Sequence, residues 1–139
     1  GKIPASTEKK AAEFGKVQEF DLEQIEAEVL NESVYLDVFA GSDLRLKTHV
    51  SPIEGALSKV TQLDGITHRW KDRGGVHAGL VAQQVAEHMP ELVRKDTETG
   101  VLAVNYQKLS SYLVEAIKDL SHQNQAQEAR IRKLEARLS

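Results

Sequence analysis

The sequence predicts an α+β protein, a small body of helices and β-hairpins followed by a long C-terminal coiled-coil helix. Three observations lead there. From Leu113 to Leu138 a set of mostly apolar residues recurs with the spacing 4-3-4-3-4-3-4. Two pairs of short β-rich runs each enclose a turn-forming cluster, Lys71–Gly75 and Asp96–Gly100. Two short helical patterns flank these pairs, one opened by Ser51-Pro52 and the other stopped before Pro90.

The elements follow in order. Residues 1–32 are polar and charge-rich, and Ser6–Lys10 reads as a loop or a frayed start. Residues 21–31 read as a helix capped by Asp21 and ending near Asn31. Ser33–Phe39 is a β-rich run, broken by Ala40-Gly41-Ser42-Asp43. In Leu44-Arg45-Leu46-Lys47 the leucines share one side and the cations the other if the chain is extended. A helix is then signalled by Ser51 as N-cap, Pro52 at the first position and Glu54 at the capping-box position. Ile53, Leu57 and Val60 form its apolar stripe, and Gly65 lies beyond its end. Ile66–Trp70 and Val76–Leu80 pair across the first turn, a helix runs over Val81–Met89, and Leu92–Lys95 pairs with Val101–Val104.

The last segment, Asn105–Leu138, is the most regular. Its seam is Leu113, Ile117, Leu120, Asn124, Gln127, Ile131, Leu134 and Leu138, with Ile117, Asn124 and Ile131 at a and Leu113, Leu120 and Leu134 at d. Arg130 and Glu135 take g and the following e, where opposite charges pair between helices. A lone helix leaves this seam wet, forgoing about 1.5–3 kcal/mol per large side chain. The period persists to the last residues, which favours contact between chains over packing on the helix's own domain. The polar Asn124–Gln127 step sets register at some cost in stability. Ile at a with Leu at d favours two strands, so the seam alone does not specify a trimer.

Composition narrows the function. The 139 residues are 40% hydrophobic and 28% charged, the balance of a folded, water-soluble chain. A net charge of −3 argues against a general nucleic-acid binder. There is no cysteine, so disulfides and thiolate metal sites are excluded. No apolar run approaches the roughly 18 residues of a membrane helix. The start lacks the basic-then-apolar pattern of a signal peptide, and Gly1 reads as the beginning of a fragment of a longer protein. Aromatic residues are only 5%, so any core rests on Leu, Val, Ile and Ala.

Few residues offer chemistry. His49, His68, His77, His88 and His122 have no metal-ligand spacing, and surface or turn roles are expected. Gly74-Gly75 is followed by Val76 rather than by the Lys-Ser/Thr of a phosphate cradle. Glu23, Glu26 and Glu28 read as a solvated helix surface, and Trp70 as a core or interface anchor. No cofactor or metal is expected. Ser42, in a small-residue turn and five residues before Lys47, offers a nucleophile and a base, a spacing that also arises often by chance.

Ser42-Asp43-Leu44-Arg45-Leu46-Lys47 resembles the start of the intramolecular chaperone auto-processing domain of phage tail fibres and tailspikes, the endosialidase type, also found in myelin regulatory factor proteins. The resemblance continues in order through Gly79-Leu80-Val81-Ala82-Gln83-Gln84-Val85, Met89-Pro90-Glu91-Leu92-Val93, Gly100, Val104-Asn105-Tyr106, and Leu113 to Leu120. It spans about Ser42–Leu138, some two-thirds of the chain. Asn105 stands where the family often has Asp. The resemblance implies residues 1–41 as the end of the delivered fibre, 42–104 as the chaperone body and 105–139 as the coiled-coil helix. It implies a homotrimer that helps the upstream fibre segment of the same chain to fold and then cuts itself off, with no nucleic-acid or membrane partner. The setting implied is the host cytoplasm during virion assembly, with the domain then released from, or retained on, the fibre.

By that resemblance the cut falls at Gly41–Ser42, with Ser42 as nucleophile and Lys47 as general base. A free lysine titrates near ~10.4, so a neutral amine near pH 7 requires about three pH units, roughly 4 kcal/mol, of desolvation or like charge. Leu44, Leu46 and the helix after Ser51 are expected to bury the amine, and Arg45 to push the same way. Asp43 opposes this if it pairs with Lys47, so it is expected to turn away and cap the local turn. On a straight strand residues five apart face opposite sides. On a helix they sit about 140° apart. The pair therefore needs a bend in the chain or a lysine from a neighbouring subunit. Two other readings compete, a non-cleaving trimerisation and folding module with Ser42 and Lys47 inert, and a coiled-coil adaptor with an acidic N-terminal helix.

Overall fold

The computed structural model describes residues 40–139. The expected helix over 21–31 and strand over Ser33–Phe39 lie outside them. The described residues fall into two compact units, divided between Pro52 and Ile53.

The first unit holds one short 3-10 turn, Leu44–Leu46. The segment bends here in place of running extended. Asp43 supplies the reason, because its carboxylate accepts the Arg45 N–H at 2.8 Å and its carbonyl accepts the Leu46 N–H at 3.0 Å. A short acidic side chain that satisfies a backbone donor two residues on closes a turn in competition with a strand.

The second unit is α+β, as the sequence predicts. Its elements are α1 (Ala56–Val60), β1 (Ile66–His68), β2 (His77–Gly79), α2 (Ala82–His88), β3 (Val93–Lys95), β4 (Leu102–Val104) and α3 (Tyr106–Leu138), with a 3-10 turn at Pro90–Leu92. The strands form two separate antiparallel hairpins, β1 with β2 in the register His68 opposite His77, and β3 with β4 in the register Val93 opposite Val104.

The expected helix after Ser51 starts later. Gly55, with φ +66°, precedes Ala56 in the left-handed conformation, which a helix continuing from Pro52 cannot contain. Its Leu57 N–H is instead accepted by Asp119 of α3 at 3.3 Å, a cap from far along the chain. The Asp96–Gly100 turn closes on itself through Asp96 Oδ1, which accepts the Glu98 N–H at 2.8 Å, and through Gly100 at φ +73°. The Glu98 N–H is also the main reason that the Asp96 carboxyl titrates below its ordinary range.

Among the described residues six are buried and make the core, namely Ala56, Val85, Met89, Leu92, Tyr112 and Ala116. Leu57 and Val60 of α1, with Ile53 ahead of the helix, pack against them, as their stripe predicts. The Tyr112 hydroxyl donates to Glu91. Asn105 caps α3, its side-chain oxygen accepting the Lys108 N–H at 3.1 Å. An Asp at this position can do the same work.

The inward face of α3 carries Leu109, Tyr112 and Ala116. The seam residues adjoin this face, Leu113 one turn beyond Leu109 and Leu120 one turn beyond Ala116. Ile117 is 66% exposed, and Leu113 and Leu120 are exposed beside it. From Ser121 onward every side chain of α3 is exposed in the single chain. Among the described residues no helix is long and apolar enough to cross a membrane.

Candidate functional site

The expected nucleophile and base meet within one chain. Lys47 Nζ lies 2.7 Å from Ser42 Oγ. The 3-10 turn between them accomplishes this, closed by the Lys47 N–H donating to the Leu44 carbonyl at 3.1 Å. A single tight turn reverses the geometry of a straight strand, in which the two side chains face apart. Of the two solutions the sequence left open, the chain takes the bend. The separation suits proton transfer, since a general base must lie about 2.6–3.2 Å from the group it deprotonates.

Asp43 turns away from Lys47, as expected, and engages Arg45. The guanidinium donates from Nε to Oδ1 at 3.0 Å and from Nη2 to Oδ2 at 2.7 Å. With the Arg45 N–H also bound to it, this carboxyl titrates far down, at about 2, the side-chain hydrogen bonds from Arg45 being the larger cause and the backbone one the next. Arg45 is correspondingly raised by the same contact. The sequence assigned Arg45 a different role, as a repelling charge beside Lys47. In the structure its charge is matched by Asp43.

The expected burial of the amine by neighbouring apolar residues is also corrected. Ser42 and Lys47 are exposed, and Leu46 is 80% exposed. Leu44 and Leu46 sit in a one-turn element too short to fold over the amine. Gly41 has open space around it, with nothing within 4 Å of where a Cβ would stand.

The structure brings together one group that sequence spacing missed. His68 and His77 face each other across the β1–β2 ladder with ring centres 5.9 Å apart, Trp70 meets His68 edge-on at 4.7 Å, and Arg73 lies over Trp70 at 5.0 Å. Strand register, invisible to helical spacing rules, makes this juxtaposition. Trp70 is 47% exposed and is therefore not a core residue. Among the described residues no three His, Asp or Glu side chains gather as a metal site.

Residues 42–94 match a peptidase-family model described as a chaperone of endosialidase. The chain is 36% identical over 110 residues to the long tail fiber protein Gp37 of Enterobacteria phage K3, covering 73% of this chain and 8% of that protein. The Gp37 of Enterobacteria phage T2 matches at the same identity and coverage, 36% over 110 residues, 73% and 8%. The Gp37 of Escherichia phage AR1 is 35% identical over 79 residues, covering 50% of this chain and 7% of that protein. The chain thus spans less than a tenth of the length of these relatives.

Proposed function

Residues 42–94 belong to the chaperone-of-endosialidase family, and on that premise we propose that the chain is a self-cleaving intramolecular chaperone of a phage tail fibre. Three copies assemble through the outward seam of α3, the upstream fibre segment folds with their help, and Ser42 then cuts the Gly41–Ser42 bond. In this reading residues 1–41 are the end of the delivered fibre, 42–104 the chaperone body and 105–139 the assembling helix.

The observation that carries the peptidase half is the 2.7 Å contact of Lys47 with Ser42. With Lys47 neutral, its lone pair takes the Ser42 hydroxyl proton as Oγ forms a bond to the Gly41 carbonyl carbon. The Gly41–Ser42 C–N bond breaks, and Lys47 returns the proton to the Ser42 amine. The chain is then joined by an ester, which water splits into a Gly41 carboxylate and a free Ser42 hydroxyl. Both dyad residues are exposed in the single chain, and assembly supplies the burial that favours a neutral amine.

The assembly half is supported by α3. Its distal half is exposed and packs on nothing among the described residues, and a solvated helix gains little stability by itself. Covering Leu113, Ile117, Leu120, Ile131, Leu134 and Leu138 between copies supplies that stability, with Asn124 and Gln127 fixing register. Joining three chains also gathers the strands upstream, whose long-range pairing is slow to nucleate. In this reading the exposed turns Lys71–Gly75 and Asp96–Gly100 meet the fibre segment as it folds.

Intact mass and light scattering of freshly made protein test the proposal. The wild type is expected as two fragments divided at Gly41–Ser42 and as a trimer, while Ser42→Ala stays whole and trimeric. Because the dyad is local to one chain, mixed assemblies of Ser42→Ala with Lys47→Ala chains are expected to stay uncut. The exposure of Lys47 favours one rival, a trimerisation and folding module that never cuts. A trimeric wild type that remains whole establishes that rival instead.

A further inference from the structure

Resting on the self-cleavage reading, we infer that the Asp43–Arg45 pair is the positioning device of the Ser42–Lys47 dyad, folding the turn that joins them and withholding from Lys47 the nearest competing anion. Neither residue touches the scissile bond in this role. Both act through Lys47.

Asp43 is engaged on every side that matters. Its carbonyl takes the Leu46 N–H at 3.0 Å, and its carboxylate takes the Arg45 N–H at 2.8 Å and the guanidinium at 3.0 and 2.7 Å. These bonds close the 3-10 turn from the residue that caps its start, and the turn brings Lys47 Nζ to Ser42 Oγ. Without the turn, residues five apart face opposite ways.

The second role concerns charge. Among the described residues of this unit the charged or titratable side chains are Asp43, Arg45, Lys47 and His49, the last bonded to Thr48 Oγ1 at 3.1 Å. Asp43 is thus the carboxylate four residues before the base. An Asp43–Lys47 ion pair competes with the Ser42 contact and holds the amine protonated, which disables it as a base. Arg45 prevents this by occupying both carboxylate oxygens in a fork that lysine cannot match.

The test is the self-cleavage rate of the full chain across about pH 6 to 10, followed by intact mass, with assembly checked by light scattering. A lysine base gives a rate that rises with pH. In Arg45→Ala the freed carboxylate turns to Lys47, and the rising limb is expected to move up by roughly one pH unit, about tenfold slower near neutrality. Adding Asp43→Asn to Arg45→Ala removes that anion, keeps an acceptor for the turn, and is expected to return the limb to the wild-type position. Asp43→Ala alone loses the turn's cap and is expected to cut more slowly at every pH. An Arg45→Ala limb that coincides with wild type overturns the inference. So does a uniform slowing that Asp43→Asn does not rescue, since that pattern marks a merely structural arginine. A wild type that never cuts overturns the cleavage reading beneath, whereas a cutting wild type with an unmoved Arg45→Ala limb overturns the positioning role alone.

Discussion

The turn at Ser42–Lys47 and the body that begins at Ile53 are built on opposite principles. The turn places two reactive groups 2.7 Å apart using bonds that reach no more than five residues, and it buries nothing. The body buries Met89, Val85 and Ala56 completely using contacts across the whole unit, and brings no such pair together. Chemistry made from local bonds can form as soon as the segment exists. It therefore provides no timing by itself. A base that must lose its proton near neutral pH requires desolvation, which the exposed turn does not supply. The contrast teaches that, if the pair cuts as proposed, the timing of the cut resides in what covers the pair. On the same proposal, the uncovered seam of α3 brings copies together to do so.

The comparison is broken most severely at the seam. Replacing both Ile117 and Leu120 with Asp places charges where copies are proposed to meet. Light scattering is expected to give a monomer in place of a trimer, while the body's inward face of Leu109, Tyr112 and Ala116 is untouched. Next in size is the core. Met89→Ala empties a fully buried site and is expected to cost about 2–5 kcal/mol in denaturant unfolding of the body. A smaller effect follows at the start of α3. Asn105→Ala loses its bond to the Lys108 N–H and is expected to cost about 1 kcal/mol, whereas Asn105→Asp keeps a cap and stays near wild type.

The smallest effect sharpens the local side of the comparison. The Asp43 carboxyl sits at about 2, chiefly through the Arg45 side chain. An unfolded Asp titrates near ~3.9. A lowered carboxyl stabilises the folded turn at pH above the unfolded value, and that contribution fades as pH falls towards the folded one. Carboxyl-carbon NMR is therefore expected to find the Asp43 midpoint near 2 in the wild type. In Arg45→Ala the midpoint is expected to rise towards the unfolded value. Both shifts belong to a solvent-exposed group, so global stability is expected to change little.

Much of the body was legible because its signals are local. The β1–β2 and β3–β4 pairs follow their turn clusters, α2 stops at Met89 ahead of Pro90, and α3 begins after Asn105. The period of the exposed row that starts at Leu113 was legible because it is uninterrupted, whereas the inward packing of Leu109 and Ala116, which adjoin that row, had no separate signature. The start of α1 was not legible. Ser51, Pro52 and Glu54 make a good local signal, yet the left-handed Gly55 and the distant Asp119 place the helix's first residue at Ala56. Residues 62 apart leave no trace in a short window. The site was legible only in part. Ser42 and Lys47 came from resemblance, because spacing alone put them on opposite faces. The closing of the turn by Asp43 decided otherwise, and the bidentate partnership of Arg45 with Asp43 had no periodic signature. The facing of His68 and His77 awaited the strand register for the same reason.

The central claim is that a preformed pair waits for assembly. It is tested most directly by the extent of self-cleavage, read as intact mass, in the wild type and in the chain carrying both Ile117→Asp and Leu120→Asp. The account predicts a trimeric wild type divided at Gly41–Ser42 beside a monomeric variant that stays whole with Ser42 and Lys47 unchanged. A monomer that cuts as completely as the wild type contradicts it.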